Sequence, residues 1–160
     1  MTEFEAPVPH IIDRRETYVR WQPIDALPDA PVGEIEVRSS GEHRLSLILR
    51  YDPPAAFDVR LDFRGVQIVE INTELSTRWH ENQVPLPRIG GDEPGANFTW
   101  PLLEVMNSRW LAGLGDGRLA PFQRDALRHF EFISGGTQVA VLASAEGEAH
   151  LIPLASAWND

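Results

Sequence analysis

The sequence predicts an α+β domain, with an antiparallel sheet or sheets and one main amphipathic helix packed on a face. Three observations carry this reading. Apolar residues alternate with polar ones across 34–71, the period of a half-buried strand. The same period returns across 129–154, with SGG at 134–136 placed to turn a hairpin. Between the two blocks, apolar residues recur at three and four residues, the helical spacing. Strands, then a helix, then strands again favour α+β over a parallel doubly wound sheet, and the early linkers are too short for parallel crossovers. The chain is 160 residues long, 42% apolar and 24% charged, so 1–160 reads as one domain with enough chain to bury a core.

Residues 1–33 form an irregular lead. Four prolines punctuate 7–28, and IDALPDAPVG at 24–33 reads as turn and loop. Within the lead, YVRWQP at 18–23 is a short extended candidate, because Tyr18 and Trp21 suit a strand. Ile35 and Val37 then alternate with glutamates and Arg38, and SSG at 39–41 turns the chain. Leu45, Leu47, Leu49 and Tyr51 share one face of the next strand, and DPP at 52–54 ends it. Val59, Leu61 and Phe63 alternate with Arg60, Asp62 and Arg64. The phase slips at Gly65 before VQIVEI, which predicts a bulge or a tight turn there. Together, 34–71 reads as an antiparallel meander with one face on a core.

Residues 72–99 hold three prolines and three glycines without a sustained period, and read as a long loop. Such loops in compact domains are often functional. The spacing then predicts a helix over 101–113, with Thr99 as N-cap and Pro101 in its first turn. Leu103, Met106, Trp110 and Leu114 form its buried stripe, widened by Leu102 and Leu111, and Gly113, Gly115 and Gly117 stop it. A second short helix is placed at 121–127. HFEFI at 129–133 and TQVAVLA at 137–143 form the hairpin, and AHLIPL at 149–154 adds a last strand.

Composition narrows the chemistry. The chain has no cysteine and no lysine, and a formal net charge of −10. That removes disulfides, thiolate nucleophiles and lysine-based phosphate loops or Schiff bases. Both halves carry −5. This sign repels nucleic acid and attracts a basic protein, and it equally suits a soluble protein with no such partner. No apolar run approaches membrane length, and the acidic, proline-bearing start does not resemble a signal peptide, so a cytoplasmic protein is expected with neither nucleic acid nor membrane as partner.

Catalytic signatures are sparse. His10, His43, His80, His129 and His150 show no metal-ligand spacing, and neither a metal nor another cofactor is expected. His129, at a strand start, reads as a hydrogen-bonded histidine at a sheet edge. His80 beside Glu81 is the one histidine–acid pair in the long loop. No serine stands in G-x-S-x-G, and the glycines at 90, 91 and 95 fit neither phosphate-binding motif. Trp79 and Trp100 bracket the loop, which also holds Arg78 and Arg88. Trp79 reads either as an anchor pinning the loop or as a contact residue, since tryptophan and arginine are enriched in binding hot spots.

Three phrases, FRGVQIVEIN (63–72), LLEVMNSRWLAGL (102–114) and HFEFISGGTQVAVLAS (129–144), follow one another as similar phrases do in small bacterial α+β proteins of uncharacterised or immunity-like families. The chain resembles these families at the level of packing pattern. The resemblance implies a partner of a secreted toxin or a protein without a known ligand, and it transfers no site residue. The leading expectation is a non-enzymatic protein-binding domain, with an immunity or inhibitor role towards a basic partner as its sharpest form. Trp79, Glu81, Asp92 and Glu93 are its candidate contacts. The alternatives are a small-molecule-binding or hydrolytic enzyme with a pocket under 72–99, and a self-associating structural subunit.

Overall fold

The computed structural model describes residues 16–73, 86–89, 98–114 and 126–154. Among these residues the chain order is β1 (Thr17–Arg20), β2 (Val32–Ser39), β3 (Arg44–Tyr51), β4 (Phe57–Arg64), β5 (Val66–Asn72), β6 (Arg88–Ile89), β7 (Phe98–Thr99), β8 (Leu102–Met106), α1 (Arg109–Gly113), β9 (Arg128–Ile133), β10 (Gln138–Ala143) and β11 (Glu148–Pro153). The fold is α+β. A five-stranded sheet runs β1-β8-β9-β10-β5 and a four-stranded sheet runs β11-β4-β3-β2, every pairing antiparallel. The short strands β6 and β7 pair separately.

The two large sheets pack through one apolar face each. Leu45, Leu47 and Leu49 of β3 and Val59, Leu61 and Phe63 of β4 meet Phe130 and Phe132 of β9 and Val139 and Val141 of β10 in one buried cluster. Four rings lie at its centre. Phe63 stands 5.4 Å from Phe130 and 5.8 Å from Phe132, and Trp21 stands 4.8 Å from Phe130. Each large side chain taken from water into this layer contributes on the order of 1.5–3 kcal/mol. The opposite face of the five-stranded sheet is also covered. There Leu142 joins Leu114 and Leu127 in a second cluster, with Ile68, Trp110 and Leu111 against it.

That second covering corrects the helix expected over 101–113. Leu102–Met106 is strand β8, and the helix is confined to Arg109–Gly113. Leu102 and Leu103 are both fully buried, one on each face of the sheet. A strand buried on both faces carries a continuous apolar run, and followed by Trp110 and Leu114 this run imitates a helical stripe. Met106, expected in the stripe, is 46% exposed, and Trp110 is only half-buried. The N-cap is Ser108 in place of Thr99, which pairs in β7. The short helix expected at 121–127 falls mostly outside the described residues.

The meander is also shorter than 34–71. Strands β2, β3 and β4 form it, but β5 joins the other sheet beside β10. Gly65 makes the crossing. Its φ of 64° lies in the left-handed region that favours glycine, and a Cβ there would run into Ser144 Oγ. The hairpin of β9 and β10 forms as expected, while β11 crosses back to pair with β4.

Candidate functional site

Polar side chains buried in the covered face of the five-stranded sheet form the first site. His129 and Glu131 stand two residues apart on β9, so both point to that face. Strand β9 is the middle strand of five, which corrects the sheet-edge placement expected for His129. In cross-strand register, Val105 and Leu142 flank His129, and Leu103 and Ala140 flank Glu131. All four flanking residues are buried, and both polar side chains are 0% exposed.

Their partners come from three elements. Ser108 Oγ lies 2.7 Å from His129 Nδ1 and also accepts the Leu111 N–H at 3.1 Å, which caps α1. A hydroxyl holds a second lone pair beside the one used by Leu111, so Ser108 can donate to Nδ1 or accept from it, according to the tautomer of His129. Nε2 lies 3.0 Å from Glu131 Oε1 without a hydrogen-bonding alignment, since neighbours on one strand face project side by side. Gln138 Nε2, on the adjacent strand, donates to Glu131 Oε2 at 2.7 Å. The Trp110 ring meets the imidazole edge-on, with centroids 5.2 Å apart. Glu16 ties the same corner down, accepting the Arg109 N–H at 2.7 Å and the Tyr18 hydroxyl at 2.8 Å. Asn107, at φ 54°, makes the turn that carries Ser108 from the strand into the helix.

The chain Ser108–His129–Glu131–Gln138 can do two things. It locks α1 onto the sheet, and it places an imidazole nitrogen where it can take the Ser108 proton. Sequence reading found His129 but neither Ser108 nor Glu131. The H-x-E phrase on a strand was the available signal for Glu131, because period two puts both on one face. Ser108 had no such signal, since its approach depends on the turn at Asn107.

A second site lies at one end of the sandwich. The 24–31 loop and the turn between β3 and β4 enclose a groove of about 290 Å³, lined by Ala26, Pro28, Asp29, Ala30 and residues 54–57. Phe57 is 39% exposed at its rim, and Leu154 is 48% exposed beside it, where its N–H donates to Ala56 O. Asp25, Asp29 and Asp52 are exposed on these same loops, and among the described residues none of the three makes an ion pair.

The exposed face of the four-stranded sheet contrasts with this end. Alternation places Glu34, Glu36, Asp58, Asp62 and Glu148 there together with Arg38, Arg44, Arg50, Arg60 and Arg64. Five acids and five arginines cancel, so the whole −10 is carried elsewhere. Arg50 bridges Glu36 at 3.0 Å and Asp58 at 3.3 Å, and Arg60 meets Asp62 at 3.1 Å. Trp79, His80, Glu81, Asp92 and Glu93 lie outside the described residues. Arg88 is exposed on β6.

The molecule is thus an antiparallel two-sheet α+β domain with a buried serine–histidine–glutamate chain and an acid-rimmed apolar groove. No family model, no curated protein and no solved structure matches the chain.

Proposed function

We propose that this chain is a protein-recognition domain whose groove receives a partner segment of basic charge bearing one large apolar side chain. The observation that carries the reading is the placing of exposed Phe57 and Leu154 by a groove with Asp29 in its wall and Asp25 and Asp52 on the loops that form it, none of the three in an ion pair among the described residues. At about 290 Å³ the groove falls just below the range of drug-sized ligand pockets and suits a single anchoring side chain. A cationic flank on the partner would complete the unpaired acids and speed association at low salt. An immunity or inhibitor role is the case in which that partner is a toxin.

The test is an NMR titration with the peptide Lys-Arg-Trp-Arg-Lys and a counterpart carrying glutamate at the basic positions. The basic peptide should perturb residues 25–30 and 54–57. A D25N/D29N/D52N variant should bind it about tenfold more weakly, a loss of about 1.4 kcal/mol. Equal binding of both peptides, or an unchanged affinity in the variant, would remove the groove from the reading.

A hydrolytic reading rests on a different observation, the 2.7 Å contact between Ser108 Oγ and His129 Nδ1. A fluorophosphonate tests it directly. Ser108 Oγ would bond to phosphorus as the P–F bond breaks, its proton passing to Nδ1 and fluoride leaving. An adduct on the native protein that disappears in S108A supports nucleophilic chemistry. No adduct on the folded protein ends that reading and leaves the chain as a structural lock.

A further inference from the structure

Arg44 and Arg64 stand directly opposite each other on β3 and β4, on the exposed face of the four-stranded sheet. Like charges in this position repel and destabilise the strand pair. Elsewhere on the face the cations are neutralised: Arg38 by Glu36, Arg50 by Glu36 and Asp58, and Arg60 by Asp62. Neither Arg44 nor Arg64 makes an ion pair or a side-chain hydrogen bond among the described residues. The next same-face carboxylate along β4 is Asp62, and it is already engaged. It accepts from Ser46 Oγ at 2.6 Å and Arg60 Nε at 3.1 Å, and His150 Nε2 lies 3.3 Å away.

We infer that Arg44 and Arg64 form a binding site for a phosphate monoester dianion. Both arginines sit on the two inner strands of their sheet, so the backbone beneath them is fixed before any ligand arrives. Two guanidinium groups on directly paired residues can both donate N–H groups to one tetrahedral oxyanion. A dianion neutralises both cations at once, whereas a single carboxylate leaves one uncompensated. Binding also relieves a repulsion that the free protein holds, so the pair gains more from the anion than two separate surface arginines would. The site is independent of the groove. Strand β4 runs from Phe57 to Arg64, and that length of strand separates the two sites by about 23 Å.

The experiment is an NMR titration with inorganic phosphate, and with sodium chloride at matched ionic strength, following the backbone amides of Arg44 and Arg64. Phosphate should give a saturable shift at both positions that chloride does not reproduce. R44Q and R64Q should each weaken phosphate binding about tenfold, while R38Q, which alters an ion-paired arginine of the same face, should leave it unchanged. R64Q without phosphate should melt no lower than the native protein, because it removes the repulsion. This separates loss of the site from loss of the fold. A phosphoserine hexapeptide that binds more than tenfold tighter than inorganic phosphate would assign the phosphate to a modified protein segment, and equal affinity would assign it to a small anion. The inference is overturned if phosphate behaves as chloride does, or if all three variants weaken binding alike.

Discussion

Removing the middle of the buried polar chain altogether should cost no more than removing either of its two members alone. In Glu131→Leu, Gln138 Nε2 loses its acceptor and His129 Nε2 loses the carboxyl 3.0 Å away. In His129→Leu, the Ser108 hydroxyl loses its partner and the carboxyl of Glu131 stays behind with one neighbour fewer. Each single change should cost about 3 kcal/mol, the upper end for leaving a buried polar group without its partner. The double variant places two leucines among Val105, Leu142, Leu103 and Ala140. Of the partners described above, the Ser108 hydroxyl and the Gln138 amide then remain unsatisfied, at about 1–3 kcal/mol each before either turns to another partner. A double-variant cost near 3 kcal/mol therefore gives a coupling energy of about 3 kcal/mol, at the top of the range for residues in contact. Urea denaturation, read as midpoint shifts at constant m, measures all four corners of the cycle. Additivity within about 0.5 kcal/mol would refute the reasoning, because it would mean that His129 and Glu131 do not depend on each other.

Four further outcomes are expected. Trp100, fully buried, with its Nε1 donating to Trp21 O at 3.0 Å and Arg20 stacked 3.7 Å from its ring, should cost about 3–5 kcal/mol on replacement by alanine. The half-buried Trp110 should cost less than Trp100 in the same denaturant melts. Gly147→Ala should destabilise by about 1–3 kcal/mol, since a Cβ there comes within 2.7–3.0 Å of three Phe63 ring atoms; the loss should shrink in a Phe63→Leu background, as paired thermal melts will show. Glu36 should titrate below the ordinary carboxylate range, because hydrogen bonds from Arg38 and then Arg50 outweigh the upward push of burial. Its pairing then stabilises the fold above the unfolded-state value and is lost as pH falls through the lowered folded value, and a ¹³C titration of R38Q should show the midpoint rising.

Period two was enough to find most of the sheet, because strands with one exposed face announce themselves by alternation. Leu45, Leu47 and Leu49 face the core while Arg44, Ser46 and Arg50 do not, and the sequence shows this directly. The pattern fails where both faces are covered. In β8 the neighbours Leu102 and Leu103 are both buried, and in β10 every residue is, so no alternation survives there. Pairing was less legible than strand existence. Nothing local separates a turn within one sheet from the crossing at Gly65, and β5 changes sheets on a single left-handed residue. The site was legible in part. His129 and Glu131 follow from their spacing, but Gln138 and Ser108 reach them only through register and the Asn107 turn. The groove was not legible, because its walls come from two loops whose approach is set by the sheets beneath them.

Net charge told little about recognition, and the reason is geometric. Each half of the chain carries −5, yet strand alternation sorts those charges in space irrespective of which half they come from. On the exposed face of the four-stranded sheet most acids and arginines satisfy each other. A partner that approached those residues would have to replace existing ion pairs, so it would gain little there. Charges without partners are different, because a ligand supplies an interaction that the free protein lacks. Among the described residues Asp25, Asp29 and Asp52, on the loops that form the groove, make no ion pair, and at the far end of β3 and β4 Arg44 and Arg64 make none, with Glu42 exposed in the turn beside them. A uniformly basic partner would match only the first end and would be repelled at the second. If the groove receives a basic partner as proposed, recognition depends on where that partner places its charge, and association should be slowed by salt.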